Sequence, residues 1–183
     1  MNRWKSPKTP LVVGAVLAIL QFAASASDAV AGALPKEPCA LLKSADIQAL
    51  APDAKIDKGV ADTSMVPLGI GCTYTWGPKT SEGGESTLTI TVIDVPTAWP
   101  GTSAEVIKQG MAAKVTAGGP DASEVPGVGD AAAFYVEARS HNAIAEGHFH
   151  AKGFHVTVKL HSGDASSSKD KLIALMKDGA SKL

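Results

Sequence analysis

The chain is short of the features that usually announce a chemistry. Its 183 residues include two cysteines, and these are not spaced as a C-x-x-C redox motif. There is no G-x-S-x-G elbow to expose a nucleophilic serine. Lys and Arg number 17 against 18 Asp and Glu, and no basic cluster is interleaved with aromatics. Without a basic field to gather phosphates, nucleic acid is excluded as the expected partner. No apolar run reaches the roughly 20 residues that a membrane-spanning helix needs. No internal repeat is found.

The first residues supply an address. Arg3, Lys5 and Lys8 precede a small-and-apolar run from Leu11 to Leu20, which ends in Ala23-Ala24-Ser25-Ala26. Charge, short apolar core and small-residue exit read as a secretory signal peptide over residues 1–26. A second cleavage site at Ala31-Gly32-Ala33 is the alternative. Residues 27–37 read as a linker and 38–183 as one domain, periplasmic or secreted and without an integral membrane span. Cleavage removes three basic residues and leaves the exported part mildly acidic. Pro35-Lys36-Glu37-Pro38 before Cys39 is not the small, apolar sequence that precedes a lipid-modified cysteine, so a soluble protein is expected.

In an exported chain, two cysteines most simply form one disulfide. Bridging Cys39 to Cys72 would stabilise the fold by roughly 4 kcal/mol at the upper end, through lost entropy of the unfolded chain. The alternative is two free thiols, although nothing near either cysteine resembles a thiolate-activating pair.

Periodicity then orders the chain. Ser44, read as the N-cap, opens a helix that Leu50-Ala51-Pro52 stops. Gly69 to Trp76 alternates, with Ile70, Cys72, Tyr74 and Trp76 apolar, and Thr87 to Val95 alternates again. The two make a hairpin across a long connection at Lys79 to Gly84. Thr102-Ser103-Ala104-Glu105 is a capping box before a helix that Gly118-Gly119-Pro120 closes. Strands follow at Ala131–Glu137, Ile144–Ala151 and Phe154–His161. A last helix, opened by a second box in Ser166-Ser167-Ser168 and Asp170, carries Leu172, Leu175, Met176 and Leu183. That order predicts an α+β fold, an antiparallel sheet with helices packed on it.

Three motifs occur in order: E-P-C-A-L-L-K-S-A-D-I at Glu37–Ile47, G-C-T-Y-T-W at Gly71–Trp76 and V-P-G-V-G-D-A-A at Val125–Ala132. They resemble a widespread group of small exported bacterial cell-envelope proteins of unknown function, many of them lipoproteins. The resemblance spans nearly all of the exported part and implies a domain similar to the PsbP-like fold. It brings no activity and no catalytic residues. This chain departs from the group in having no lipobox. Gly127-x-Gly129-Asp130 lacks the third glycine and the following helix of a phosphate-binding loop. It reads as a tight turn into a strand, with Asp130 bonding local backbone.

No catalytic set assembles from the residues. Asp53 with Asp57, and Asp121 with Glu124, sit in polar stretches and read as solvated faces. One cluster stands out. Gly147 to His155 reads as a hairpin with Lys152-Gly153 at its tip, which puts His150 opposite His155 and His148 opposite Thr157. Phe149, Phe154, Val156, Val158 and Leu160 then share the core face, and His148, His150 and His155 the other. Three imidazoles on one pleated face have the spacing to ligate zinc, copper or nickel, with Glu137 or Glu146 as a further ligand. The plainer reading is that histidines fill the polar side of an amphipathic hairpin, with no cofactor. Two functions follow: a non-enzymatic envelope module binding a partner protein or small ligand, or a metal-binding protein built on the histidines.

Overall fold

The computed structural model describes residues 33–77, 84–138, 143–162 and 165–183. The expected signal peptide, most of the expected linker and the expected turn from Lys79 up to Gly84 lie outside those residues. Seven strands form one sheet: β1 (Val60–Asp62), β2 (Gly69–Trp76), β3 (Ser86–Asp94), β4 (Ser123–Glu124), β5 (Ala131–Ala138), β6 (Ala143–Ala151) and β7 (Phe154–Ser162). Their order is β1-β2-β3-β7-β6-β5-β4, and every neighbouring pair is antiparallel. Four α-helices accompany it: α1 (Ser44–Ile47), α2 (Val95–Ala98), α3 (Ala104–Ala117) and α4 (Lys169–Lys182). The fold is therefore α+β, as the element order predicts. No helix among the described residues is long and apolar enough to cross a membrane.

Period-two alternation assigns the two faces. On one, Ile70, Tyr74, Leu88, Ile90, Val156 and Val158 are buried beneath α1 and α4, whose Ile47, Leu172, Leu175 and Met176 complete the main core. Gly147 of β6 belongs to this face. A Cβ there would run into the sulfur of Met176, so glycine is what lets α4 lie close against β6.

The Cys39–Cys72 disulfide joins the short 3₁₀ turn Pro38–Ala40 to β2, with Cα atoms 5.2 Å apart. Beside it the Tyr74 hydroxyl donates to the carbonyl of Leu42 and lies 3.2 Å from that of Cys39. The irregular N-terminal segment is thus fixed to the sheet by one covalent bond and one buried phenol. Among the described residues no cysteine is free.

Some expectations shift by a residue or more. Lys43, not Ser44, is the N-cap of α1, where its N–H donates to Asp46 Oδ2 at 2.8 Å. Ser103, not Thr102, caps α3 by accepting from the Val106 N–H at 3.3 Å. α4 grows out of a 3₁₀ turn at Ala165–Ser168 rather than from a capping box. Strands β1 and β4 and helix α2 carry too few residues to show a period, and the sequence reading omits them.

Candidate functional site

The second face of the sheet is polar, and α3 covers only part of it. Ile107 and Met111 of α3 pack with Val95 and Ala133 into a small apolar cluster apart from the main core. Alanines at 131 and 133 on β5 leave room for the helix to approach. Toward β2 and β3 the same face carries threonines, with the Thr73 and Thr89 hydroxyls 3.2 Å apart.

Register assembles the site in rows running across β5, β6 and β7. Tyr135 pairs with Glu146 and Glu146 with Lys159. Ala133 pairs with His148 and His148 with Thr157, then Ala131 with His150 and His150 with His155. The hairpin is as the sequence predicts, with Lys152 at φ 50° and Gly153 at φ 83° forming its tip.

Glu146 is the hub. Its carboxylate accepts from the Tyr135 hydroxyl, lies 3.2 Å from Nε2 of His148 and is 2.5 Å from the Lys159 ammonium. Hydrogen bonds from His148, then from Lys159 and Tyr135, hold the Glu146 carboxyl well below the usual carboxylate range although burial opposes this. Burial, followed by the hydrogen bond to Glu146 and its negative charge, pushes the Tyr135 phenol far up. The Tyr135 ring stacks on His148 with centroids 5.4 Å apart, and the Lys114 ammonium lies 5.8 Å from the Tyr135 centroid.

The network continues through His148. In the tautomer that points the His148 hydrogen from Nε2 at the Glu146 carboxylate, Nδ1 is an acceptor. Nδ1 lies 3.3 Å from Nε2 of His155 and 3.2 Å from the Thr157 hydroxyl. With His155 donating from Nε2, its Nδ1 is left as a lone pair, and that atom is buried without a hydrogen-bond partner among the described residues. Burial above all, and then nearby positive charge such as the Lys114 ammonium, lowers the His155 pKa to about 4, so this imidazole is neutral at pH 7.

A cavity of about 210 Å³ opens beside this ring. Ile107, Gly110, Met111 and Lys114 of α3 line one side, and Trp99, His148 and His155 the other. Trp99 is 43% exposed and its ring is tilted against His155 with centroids 5.7 Å apart. Gly110 presents no side chain, and a Cβ there would have nothing within 4 Å, which marks the open side.

The three histidines foreseen as ligands do not gather around one point. His148 and His155 meet, but both nitrogens of His148 are engaged by Glu146, Tyr135, His155 and Thr157. His150 is 4% exposed, its Nδ1 has no hydrogen-bond partner among the described residues, and Asp130 is the charge acting on it. Among the described residues no group of three His, Cys, Asp or Glu is placed to hold a metal ion. Glu146, foreseen only as a possible further ligand, is instead the acceptor that orients His148.

The Gly127-x-Gly129-Asp130 segment leads into β5, with φ of 75° at Gly127 and 56° at Gly129. A Cβ on Gly129 would collide with the carbonyl of His150, so glycine permits this close approach. The bond made there comes from the Asp130 N–H, which donates to the His150 carbonyl at 2.7 Å across the sheet rather than to local backbone.

Tyr135, Lys114, Lys159, Thr157 and Trp99 are the members of the site that sequence reasoning missed. The cross-strand row Tyr135–Glu146–Lys159 was the available signal, since acid, base and phenol fall together once the two hairpin registers are set. Trp99 and Lys114 reach the site only through the placement of α2 and α3. No family model matches this chain, and no curated protein or solved structure is significantly similar to it.

Proposed function

We propose that this is an exported, soluble, non-enzymatic module of the cell envelope that takes a small ligand into the cavity between α3, Trp99 and the histidines of β6 and β7. One observation carries the reading: a cavity of about 210 Å³ is walled by Trp99, Ile107 and Met111 and by the rings of His148 and His155. The ring nitrogens of His148 are already engaged by Glu146, Tyr135, His155 and Thr157, which favours recognition over proton-transfer chemistry.

Export is supported by the leader and by the disulfide, a bond that persists in oxidising compartments. The antiparallel sheet with helices on both faces, and the bridge from the Pro-Cys opening to the G-C-T-Y-T-W strand, support the PsbP-like resemblance. Intact mass of the secreted or periplasmic protein tests export: the chain begins near Ser27 or Leu34. An uncleaved chain held in the membrane overturns it, and lipid on Cys39 overturns solubility. For the site, Trp99 and His155 resonances shift on ligand binding, whereas those of the Thr73–Thr89 side stay unmoved.

A further inference from the structure

We propose that α3 is an acid-opened lid: once His148 and His155 both carry an extra proton, the helix lifts off the polar face while the main core stays folded. The inference concerns the protein without a ligand, so its test does not depend on the binding reading above.

The contact between the two rings limits the charge that this place can hold. Nδ1 of His148 and Nε2 of His155 lie 3.3 Å apart, a distance that one hydrogen bridges whichever ring carries it. A first extra proton leaves that bond in place, because the N–H of the charged ring still meets a lone pair. A second sets N–H against N–H, and the contact becomes repulsive. The limit is the same for either tautomer.

The surroundings do not compensate a second charge. Glu146 is the carboxylate beside the pair, 3.2 Å from His148, but the Lys159 ammonium at 2.5 Å already shares it. Tyr135 adds a neutral phenol from β5. The charged or titratable groups acting on His155 are His148 and His150 from β6 and Lys114 from α3, none of them acidic. Asp130 acts on His150, and Glu137 on Tyr135, rather than on His155. Two imidazolium rings therefore repel each other and the Lys114 ammonium on the α3 wall of the cavity.

The element most easily moved is α3. Its buried residues are Ile107 and Met111, which form with Val95 and Ala133 a cluster separate from the main core. Gly101 before the helix and Gly119 after it both have positive φ, and a Cβ on either would meet nothing within 4 Å. Turns of this kind at both ends let a helix swing as a unit. Because α3 forms a wall of the cavity, the movement dismantles it. Burial holds His155 at about 4 in the closed form, so the lid is shut at pH 7.

The test is amide hydrogen exchange on residues 27–183 at pH 7 and pH 5, read as protection factors. The return of His155 from about 4 to its ordinary 6.5 favours the open form about twentyfold between those pH values. We expect α3 protection to fall by that factor. It should stay below that of β3 and α4 at both pH values and be indifferent to urea below the unfolding transition. Lys114→Glu, at an exposed position, supplies an anion beside His155 and should shrink the fall about threefold. His155→Phe should remove it; should that variant fail to fold, Lys114→Glu decides. Protection of α3 that matches that of β3 and α4, and drops with urea as theirs does, means global unfolding and overturns the lid. A fall of unchanged size in the variants overturns the histidine trigger and the proposal with it.

Discussion

Nδ1 of His148 lies 3.3 Å from Nε2 of His155, although the two residues are not opposite each other in the sheet. Register places His148 across from Thr157 and His155 across from His150. The contact is diagonal, and the long imidazole side chains close a gap that short ones would leave open. It extends the Glu146–His148 pair by one ring, to the wall of the cavity.

That relay predicts acid sensitivity. In the unfolded chain His155 titrates near 6.5, and in the fold near 4. Between those values the unfolded state binds more protons, so stability is complete above about pH 6.5 and falls as pH drops toward 4. The loss reaches at most about 3 kcal/mol from this residue. His150, also lowered by burial, acts in the same direction. Urea unfolding at pH 7 and pH 4.5 should show the decline, and His155→Phe should flatten it. An equally steep decline in the variant would assign the effect elsewhere.

Both tyrosines of the chain should resist ionisation. Burial raises the Tyr135 phenol, helped by Glu146, and burial raises Tyr74, helped by the charge of Asp46. The sequence contains no other tyrosine. An alkaline titration of phenolate absorbance should therefore pass pH 10 without a step while the protein stays folded. A step near the ordinary phenol value would mean that one hydroxyl is open to water.

Removing the Tyr135 hydroxyl deprives the Glu146 carboxylate of a donor in a partly buried place. Tyr135→Phe should cost about 1.5–3 kcal/mol, the range for a hydrogen bond to a charged group. Thr73→Ala, on the same face but away from Glu146, removes one neutral hydrogen bond and should cost less, about 0.5–1.5 kcal/mol. Equal losses from the two substitutions would contradict a central role for Glu146.

The Cys39–Cys72 bridge carries its own test. Thiol counting on denatured, unreduced protein should find none free, and replacing both cysteines with alanine should cost about 2–4 kcal/mol. An unchanged melting temperature after reduction would show that the bridge contributes nothing to stability.

Tag-free protein titrated with zinc or copper at pH 7.5 should bind weakly, with no single equivalence point. His150→Ala should leave that binding intact, because His150 is not gathered with His148 and His155 around a common point. One tight equivalent abolished by His150→Ala would restore the metal reading.

The sequence by itself determined the elements that show a period. Ile70 to Trp76, Leu88 to Val92 and Phe154 to Leu160 alternate because one side of each strand is buried, and the alternation named the core face correctly. Lys152-Gly153 disclosed the hairpin and its register, because both positions need positive φ. Two cysteines, one of them on a buried strand face, sufficed to name the bridge. Only the tertiary structure decided how β3 and β7 pair at the centre of the sheet, since that join links residues far apart in sequence, from Asp94 with Phe154 to Thr87 with His161, and leaves no local trace. It also decided that α3, held by Ile107 and Met111, roofs part of the polar face and that Trp99 comes to rest against His155. The histidines were visible as a set, but side-chain direction decides whether imidazoles converge. Glu146 and Tyr135 turn His148 toward β5, the diagonal brings in His155, and His150 stays apart near Asp130.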